Sequence, residues 1–216
     1  MVHDWITAVN DLAKVGGEQF HVNGNRLEFD LLSFWQWSSS DLVSNATRGV
    51  IAEYIVALAL GLTDKGVREE WAAFDMETPS SVKVEVKSSA YVQSWSQKQL
   101  SSISFAPPKT RAWDADTNTL SKESKRQADV YVFALLAHKD EATIDPLNIE
   151  QWCFYVLTTS VLDSRTRSQH SITLKSLKNL CSGVTSFNEL LEVVESCKPT
   201  AMSWSLNKIR RRQDQN

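Results

Sequence analysis

Two continuous apolar runs constrain the fold of this chain more than any other feature. The segments DVYVFALL (residues 129–136) and WCFYVL (residues 152–157) show no alternation of polar and apolar residues. Strands that are covered on both faces have this pattern, whereas a strand with one face in water alternates. The chain is therefore predicted to adopt an α/β fold in which a central mixed β-sheet is flanked by helices.

A third segment, VKVEVK (residues 82–87), does alternate. Read as a strand, it places three valines on one face and Lys83, Glu85 and Lys87 on the other. An acid and a base thus lie side by side on the same strand face.

A strongly apolar helix is predicted upstream, from Thr47 to about Leu60, with Gly61 at its end. Glu53 is its only charged residue after Arg48. An unpaired buried charge costs several kcal/mol, so Glu53 is expected to have a partner. Two interpretations stay open for each residue: Glu53 belongs to a metal site or to a core ion pair, and Arg48 contacts a phosphate or lies on the surface.

The segment WAAFD (residues 71–75) is predicted to be a short strand that ends at Asp75, and ETPSS (residues 77–81) to be a turn. The resulting hairpin would bring Asp75 close to Glu85. Two carboxylates 4 Å apart repel by roughly 4 kcal/mol at an effective dielectric constant near 20. Such a pair is reasonable if a divalent cation lies between the two groups.

The order of these groups resembles the metal-dependent nucleases of the PD-(D/E)XK superfamily. An acid on a helix is followed by an acid from a strand and then by Glu-x-Lys on the next strand, and the resemblance is close over residues 48–87. It implies a restriction-endonuclease-like fold and a Mg²⁺-dependent nuclease, with Mn²⁺ as a possible substitute. Asp75 and Glu85 would coordinate the metal, Glu53 would hold a water or a second ion, and Lys87 would stabilise charge on the phosphate or orient the attacking water.

The resemblance is not complete at the first strand acid. Phe74 precedes Asp75 where the family pattern has proline. Glu70 and Glu77 therefore stay open as alternatives to Asp75.

Further residues are candidates for substrate contacts. Members of the superfamily often carry a glutamine on the element after Glu-x-Lys, so Gln93 and Gln97 are candidates, although for either residue alone an amide on a polar face is the more ordinary use. Residues 104–128 are predicted to form an irregular, charged loop that either contacts DNA, through Lys109 and Arg111, or is merely solvated.

Other elements can be read from local patterns. Residues 4–15 are predicted to form an amphipathic helix and residues 20–29 a hairpin, while the aromatic residues 34–37 form a strand end or a surface patch. Residues 171–180 fit a short helix. The pattern SFNE (residues 186–189) is a capping box ahead of a final helix.

Composition limits the remaining possibilities. A chain of 216 residues with 42% apolar residues can form a single domain, here residues 1–216 with a basic tail from about 208 that either contacts phosphates or is a plain terminus. The net charge of −3 argues against a protein that coats nucleic acid by bulk charge, but not against a local basic cleft. Three cysteines without CxxC spacing indicate neither a disulfide framework nor zinc.

The expected compartment is the cytoplasm, without membrane association. No run of eighteen apolar residues occurs, and the first residues lack the pattern of a signal peptide. The resemblance implies nucleic acid, and specifically DNA, as the partner, and a homodimer as a suitable assembly for cutting two strands. The alternatives are a non-catalytic nucleic-acid or protein-binding module of the same fold, and an unrelated α/β protein.

Overall fold

The protein is described by a computed structural model that covers residues 13–64, 66–70, 72–114, 119–166 and 168–198. Its strands are β1 (Gln19–Val22), β2 (Asn25–Asp30), β3 (Met76–Glu77), β4 (Lys83–Ala90), β5 (Ser104–Phe105), β6 (Thr110–Asp114), β7 (Thr119–Lys125), β8 (Val130–Leu136), β9 (Trp152–Thr158) and β10 (Ile172–Thr173). Its α-helices are α1 (Leu31–Ser39), α2 (Asn45–Ala59), α3 (Thr159–Asp163), α4 (Leu174–Leu180) and α5 (Leu190–Ser196).

The central sheet has the strand order β3-β4-β8-β9. Strand β4 runs parallel to β8, whereas β3 is antiparallel to β4 and β9 is antiparallel to β8. The two apolar runs form β8 and β9, and every residue of β8 is buried. The predicted α/β fold with a mixed central sheet flanked by helices is therefore confirmed.

Each face of this sheet carries its own apolar core. On one face, α2 and α5 pack against β4, β8 and β9, and Val56, Val84 and Leu190 are fully buried there. On the other face, α3, α4 and the β5-β10 pair cover β8 and β9, and Phe105 meets Phe133 edge-on with ring centroids 5.2 Å apart. Coverage of both faces explains the continuous apolar character of β8 and β9.

Local capping signals place the helices that cover the sheet. Ser44 caps α2 through its side chain, which accepts a hydrogen bond from the backbone N–H of Thr47, and the helix ends just before Gly61, whose φ is +67°. The predicted capping box between Ser186 and Glu189 is present ahead of α5. The predicted helix at residues 171–180 begins only at Leu174, because Ile172 and Thr173 pair with β5.

Two segments differ from their predictions. Residues 72–75 are not a strand, and the hairpin partner of β4 is the short β3. The region predicted to be an irregular loop contains the antiparallel hairpin β6-β7. Both faces of β7 are largely exposed, so its sequence lacks the alternation of polar and apolar residues that would have predicted a strand.

An N-terminal unit consists of the β1-β2 hairpin, which confirms the prediction, and α1. The aromatic stretch at residues 34–37 lies within α1, so the strand alternative is wrong, and Trp37 is 84% exposed. Asp30 and Ser33 form the capping box of this helix. The predicted helix at residues 4–15 lies almost wholly outside the described residues, and residues 13–15 are not helical.

No helix in the described part of the chain combines the length and the apolar character that a membrane span requires.

Candidate active site

Asp75 lies at the edge of the central sheet, where strand β3 meets β4. Its backbone N–H donates to the carbonyl of Val84 at 3.1 Å, and its Oδ2 accepts a hydrogen bond from the backbone N–H of Val86 at 2.6 Å. The Asp75 side chain thus accepts a hydrogen bond from a backbone N–H of β4 that would otherwise donate to a carbonyl of a longer β3. This contact explains why the ladder stops at Met76 and fixes the Asp75 carboxylate beside Glu85.

The environment of Asp75 disfavours its negative charge. Burial, followed by the nearby carboxylates of Glu85 and Glu53, raises the pKa of Asp75 to about 7, although the Val86 N–H and the Lys87 ammonium act in the opposite direction. Desolvation and like charges are the ordinary causes of such a shift, and functional sites are where they are commonly found.

Glu85 and Lys87 extend from the same face of β4, as the alternation predicts. The Lys87 Nζ donates to Glu85 Oε1 at 2.5 Å, and the two side chains are 29% and 19% exposed, respectively. Val84 and Val86 point to the opposite, apolar face. An ammonium group and two carboxylates therefore share one partly open position at the sheet edge.

Glu53 on α2 has a partner that the sequence reading did not identify. Both of its carboxylate oxygens accept hydrogen bonds from Arg68, Oε2 from Nε and Oε1 from Nη2 at 3.1 Å. Arg68 lies in the connection between α2 and β3. The hydrogen bond to Glu53 raises the pKa of its guanidinium, and the charges of Asp75 and Glu70 add to this effect. The expectation that a lone carboxylate needs a partner is met, but by an arginine on the next connection.

The three predicted carboxylates do not form one ligand cluster. In the described residues, no group of three or more His, Cys, Asp or Glu side chains is arranged to hold a metal ion. Asp75 and Glu85 remain as a pair of oxygen donors, and among the described residues Asp75 Oδ1 accepts no hydrogen bond. One or two carboxylates are a usual protein contribution to a Mg²⁺ site, because the ion keeps several waters and also binds substrate phosphate. The residues present therefore fit such an ion.

Arg48 is buried, so the interpretation as a surface residue is wrong. Its side chain donates to the Val43 carbonyl at 2.9 Å, to Asn45 Oδ1 at 2.5 Å and to Gln93 Oε1 at 3.2 Å. Burial lowers the pKa of this guanidinium, and its Nε is buried without a hydrogen-bond partner in the described structure. A phosphate could reach Arg48 only by displacing these partners.

Gln93 and Gln97 are engaged in holding the segment that follows β4. Gln93 Nε2 donates to the Ala90 carbonyl at 2.8 Å and to Ser101 Oγ at 3.2 Å, and Gln97 Oε1 accepts from the Gln93 backbone N–H at 2.7 Å. Gln97 Nε2 also donates to Ser101 Oγ at 2.9 Å. Together with Arg48, these amides join the start of α2 to residues 91–101.

The remaining predicted substrate contacts lie on other elements. Lys109 Nζ is 3.6 Å from Asp163 Oδ1, and Arg111 donates to the backbone carbonyls of Ser121 and Leu120 within the β6-β7 hairpin. The basic tail from residue 208 lies outside the described residues. A contact of these groups with substrate stays a prediction.

Two residues near the site escaped the sequence reading. Arg68 lies in a polar connection that has no local pattern, and the sequence signal that points to it is Glu53, a lone carboxylate that needs a cation from another element. Tyr131 is directly opposite Glu85 in the β4-β8 register, and burial together with the Glu85 charge raises the pKa of its phenol. Of the alternatives to Asp75, Glu70 is exposed and Glu77 lies in β3 opposite Lys83.

Comparison with known proteins adds a family. No curated protein matches the chain. The family model described as bacteriophage T4 endonuclease IV matches residues 30–176, a segment that contains α2, β3, β4, β8 and β9. Because this segment is more than half of the 216 residues, the chain belongs to the bacteriophage T4 endonuclease IV family, and this membership supports a nuclease that acts on nucleic acid.

Proposed function

We propose that the protein is a Mg²⁺-dependent endonuclease that hydrolyses phosphodiester bonds in DNA with a site of the PD-(D/E)XK type. The observation that carries this proposal is the position of Asp75 between β3 and β4, with the Glu85 carboxylate and the Lys87 ammonium beside it. Family membership supports the nuclease part of the proposal. The metal, the type of site and the choice of DNA rest on the side chains.

Asp75 and Glu85 would hold the metal ion. Burial, followed by the carboxylates of Glu85 and Glu53, raises the pKa of Asp75, so negative charge is unfavourable at this position. A divalent cation held by Asp75 and Glu85 would remove the repulsion. When bound, Mg²⁺ supplies charge neutralisation at the scissile phosphate and activation of water. Mn²⁺ prefers similar oxygen ligands and is expected to substitute.

Lys87 then acts on the substrate. Its ammonium is paired with Glu85, and it would be free to contact a phosphate oxygen if the Glu85 carboxylate held a metal ion. A lysine at this position stabilises the charge that develops on the phosphate during hydrolysis. Such electrostatic stabilisation acts in the transition state, so its loss is expected to lower the rate of cleavage.

Glu53 and Arg68 form the second charged pair of the site. Arg68 is held by both oxygens of Glu53 and lies near Asp75 and Glu70. Its bidentate geometry and permanent charge suit phosphate recognition. We assign Arg68 a contact with the DNA backbone and Glu53 the task of orienting it, while a role for Glu53 in holding a water or second ion requires release of Arg68.

The direct test is a cleavage screen on plasmid, linear and branched DNA with purified protein, with Mg²⁺ or Mn²⁺ and with a chelator. Cleavage that needs the metal and is lost in Asp75→Asn supports the proposal. A parallel calorimetric titration should detect binding of Mg²⁺ or Mn²⁺ that Asp75→Asn abolishes. A protein that binds neither ion, or that cleaves equally well with chelator, contradicts the proposal.

A second candidate is a non-catalytic nucleic-acid or protein-binding module of the same fold. The observation in its favour is that Glu85 and Glu53 each already have a cationic partner, Lys87 and Arg68. In that case the charges form a structural ion network, and metal titration should show no binding. The two candidates thus differ in one measurement.

We further propose that residues 1–216, including the terminal tail, form a single domain. The protein is proposed to assemble as a homodimer. Sedimentation of the purified protein with and without DNA tests the assembly.

A further inference from the structure

A cavity of about 370 Å³ opens next to Asp75, and Glu85 and Lys87 are not among the described residues that line it. Helix α2 forms one wall, and the connection between α2 and β3 forms the other. The lining is mainly apolar, from Val50, Tyr54, Ala57, Leu62, Phe74 and Met76. Asp75 borders both this cavity and the β4 edge, so a ligand in the cavity would lie directly beside the proposed cleavage site.

The lining has the features of a ligand site rather than of a packing defect. Tyr54 is 58% exposed and Val50 is 46% exposed, although both lie on the helix that carries Glu53. Pockets for small ligands are typically lined by apolar and aromatic side chains with a few polar groups, in volumes of about 300–1,000 Å³. Charged side chains, Glu53 and Arg68 among them, complete the lining.

The charge of the lining determines which part of a nucleotide can enter the cavity. Glu53, Glu69 and Asp75 all line the cavity, and Arg68 is bound to Glu53. These carboxylates disfavour a phosphate inside, whereas the flat, uncharged base gains from contact with the Tyr54 and Phe74 rings. Carboxylate oxygens also accept hydrogen bonds from base N–H groups.

We propose that this cavity receives one nucleobase of the substrate, adjacent to the phosphate bound at Asp75, Glu85 and Lys87. The inference rests on the proposed nuclease function and adds a base-binding subsite to it. A base that enters the cavity must leave its stack, as in other enzymes that hold a base in a pocket. The substrate is thereby fixed by one base as well as by its backbone.

An abasic scan tests the proposal. The full-length protein with Mg²⁺ is given DNA oligonucleotides of one sequence, each lacking a single base at a successive position around the cleaved phosphate, and kcat/KM is measured. Loss of one particular base is expected to lower kcat/KM about tenfold, a size typical of a lost base-aromatic stack. The other positions should have much smaller effects.

Variants connect the effect to the cavity. Tyr54→Ala should cleave the intact oligonucleotide about tenfold more slowly and should show no further loss on the abasic one, since the two changes remove the same contact. Val50→Trp fills the cavity, so it should also cleave the intact oligonucleotide more slowly and show no further loss on the abasic one. The control Trp37→Ala removes an exposed aromatic ring from α1, outside the cavity, and should keep the abasic penalty in full. Equal cleavage of every abasic oligonucleotide, or an undiminished penalty in Tyr54→Ala, overturns the proposal.

A second measurement separates this proposal from the nuclease function. Short oligonucleotides containing 2-aminopurine are mixed with protein without metal, and quenching of their fluorescence reports stacking on a ring. Quenching by the wild type but not by Tyr54→Ala supports the base subsite even if no DNA is cleaved, which would contradict only the nuclease proposal. Equal quenching by both proteins rejects the subsite and leaves the nuclease proposal unaffected.

Discussion

The carboxylate of Asp75 accepts a hydrogen bond from the backbone N–H of Val86 at 2.6 Å, so a side chain takes the place of a strand partner on β4. This single contact ends the β3-β4 ladder and holds Asp75 beside Glu85. The Val86 N–H favours the charged form of Asp75, but burial and the carboxylates of Glu85 and Glu53 outweigh it and disfavour the charge.

The first prediction concerns stability and pH in the absence of metal. The pKa of Asp75 rises from 3.8 to about 7 on folding, so the folded protein binds this proton more tightly than the unfolded chain does. The free energy of unfolding should therefore fall as pH increases from about 4 to about 7, by no more than about 4 kcal/mol from this group. Asp75→Asn should remove this dependence and have a higher Tm than the wild type at pH 8.

Thermal unfolding with chelator at several values between pH 5 and pH 8 measures the effect. The charge of Asp75 interacts with four neighbouring charged groups, Glu53, Arg68, Glu85 and Lys87. The wild type and Asp75→Asn are therefore measured at the same pH values, and the difference in Tm at each pH is the quantity compared. Adding Mg²⁺ at pH 8 should stabilise the wild type but not the variant. A Tm difference that stays constant with pH would contradict the prediction.

The second prediction concerns Lys87. Replacing it by alanine should abolish DNA cleavage while lowering the Tm by only a few degrees, because partly exposed ion pairs contribute about 0–1 kcal/mol to stability. Lys83→Ala is a matched control, since it removes an ammonium group from the same face of β4, where Lys83 lies over the Phe74 ring. Undiminished activity in Lys87→Ala would exclude Lys87 from the mechanism.

The third prediction concerns Arg68. If it contacts a DNA phosphate, Arg68→Ala should weaken DNA binding and reduce the slope of log affinity against log salt by about 1. Arg26→Ala removes the same charge from the exposed strand β2 and serves as the control. A slope that falls equally in both variants, or in neither, would argue against a phosphate contact. Arg68→Ala leaves the Glu53 carboxylate, whose side chain is only 17% exposed, without this partner, so a lower Tm is expected and binding is compared at a temperature where both variants are folded.

The fourth prediction concerns the buried amide network. Gln93→Ala removes a hydrogen-bond acceptor from the buried guanidinium of Arg48 and should destabilise the protein by about 1–3 kcal/mol. Gln99→Ala, at an exposed position of the same segment, should change stability far less. Chemical denaturation of both variants gives the comparison. Loss of cleavage in Gln93→Ala with unchanged stability would instead favour a contact of Gln93 with substrate.

The central part of the fold was predictable because its signals are local. Unbroken apolar runs gave β8 and β9, alternation gave β4, and serine and glycine marked the ends of α2. The strand predicted at residues 71–75 failed for a tertiary reason: the Asp75 side chain, rather than its backbone, satisfies the Val86 N–H. No local pattern contains that information.

The candidate site shows the same division. Glu85 and Lys87 share a face by strand periodicity, and their proximity could be stated in advance. The pairing of Glu53 with Arg68 depends on the path of a polar connection, which periodicity does not specify. Likewise, burial of Arg48 follows from the packing of residues 91–101 against α2, through Gln93.

Helix α5 has a practical consequence for anyone who shortens this protein. The family match ends at residue 176, whereas Leu190 and Val194 of α5 are completely buried in the core shared with α2. A chain trimmed to the matched segment lacks α5 and would expose apolar core residues of α2, the helix that bears Glu53, to water. Such a fragment should aggregate on expression, so the minimal folding unit extends through Ser196 even though the recognisable family signature does not.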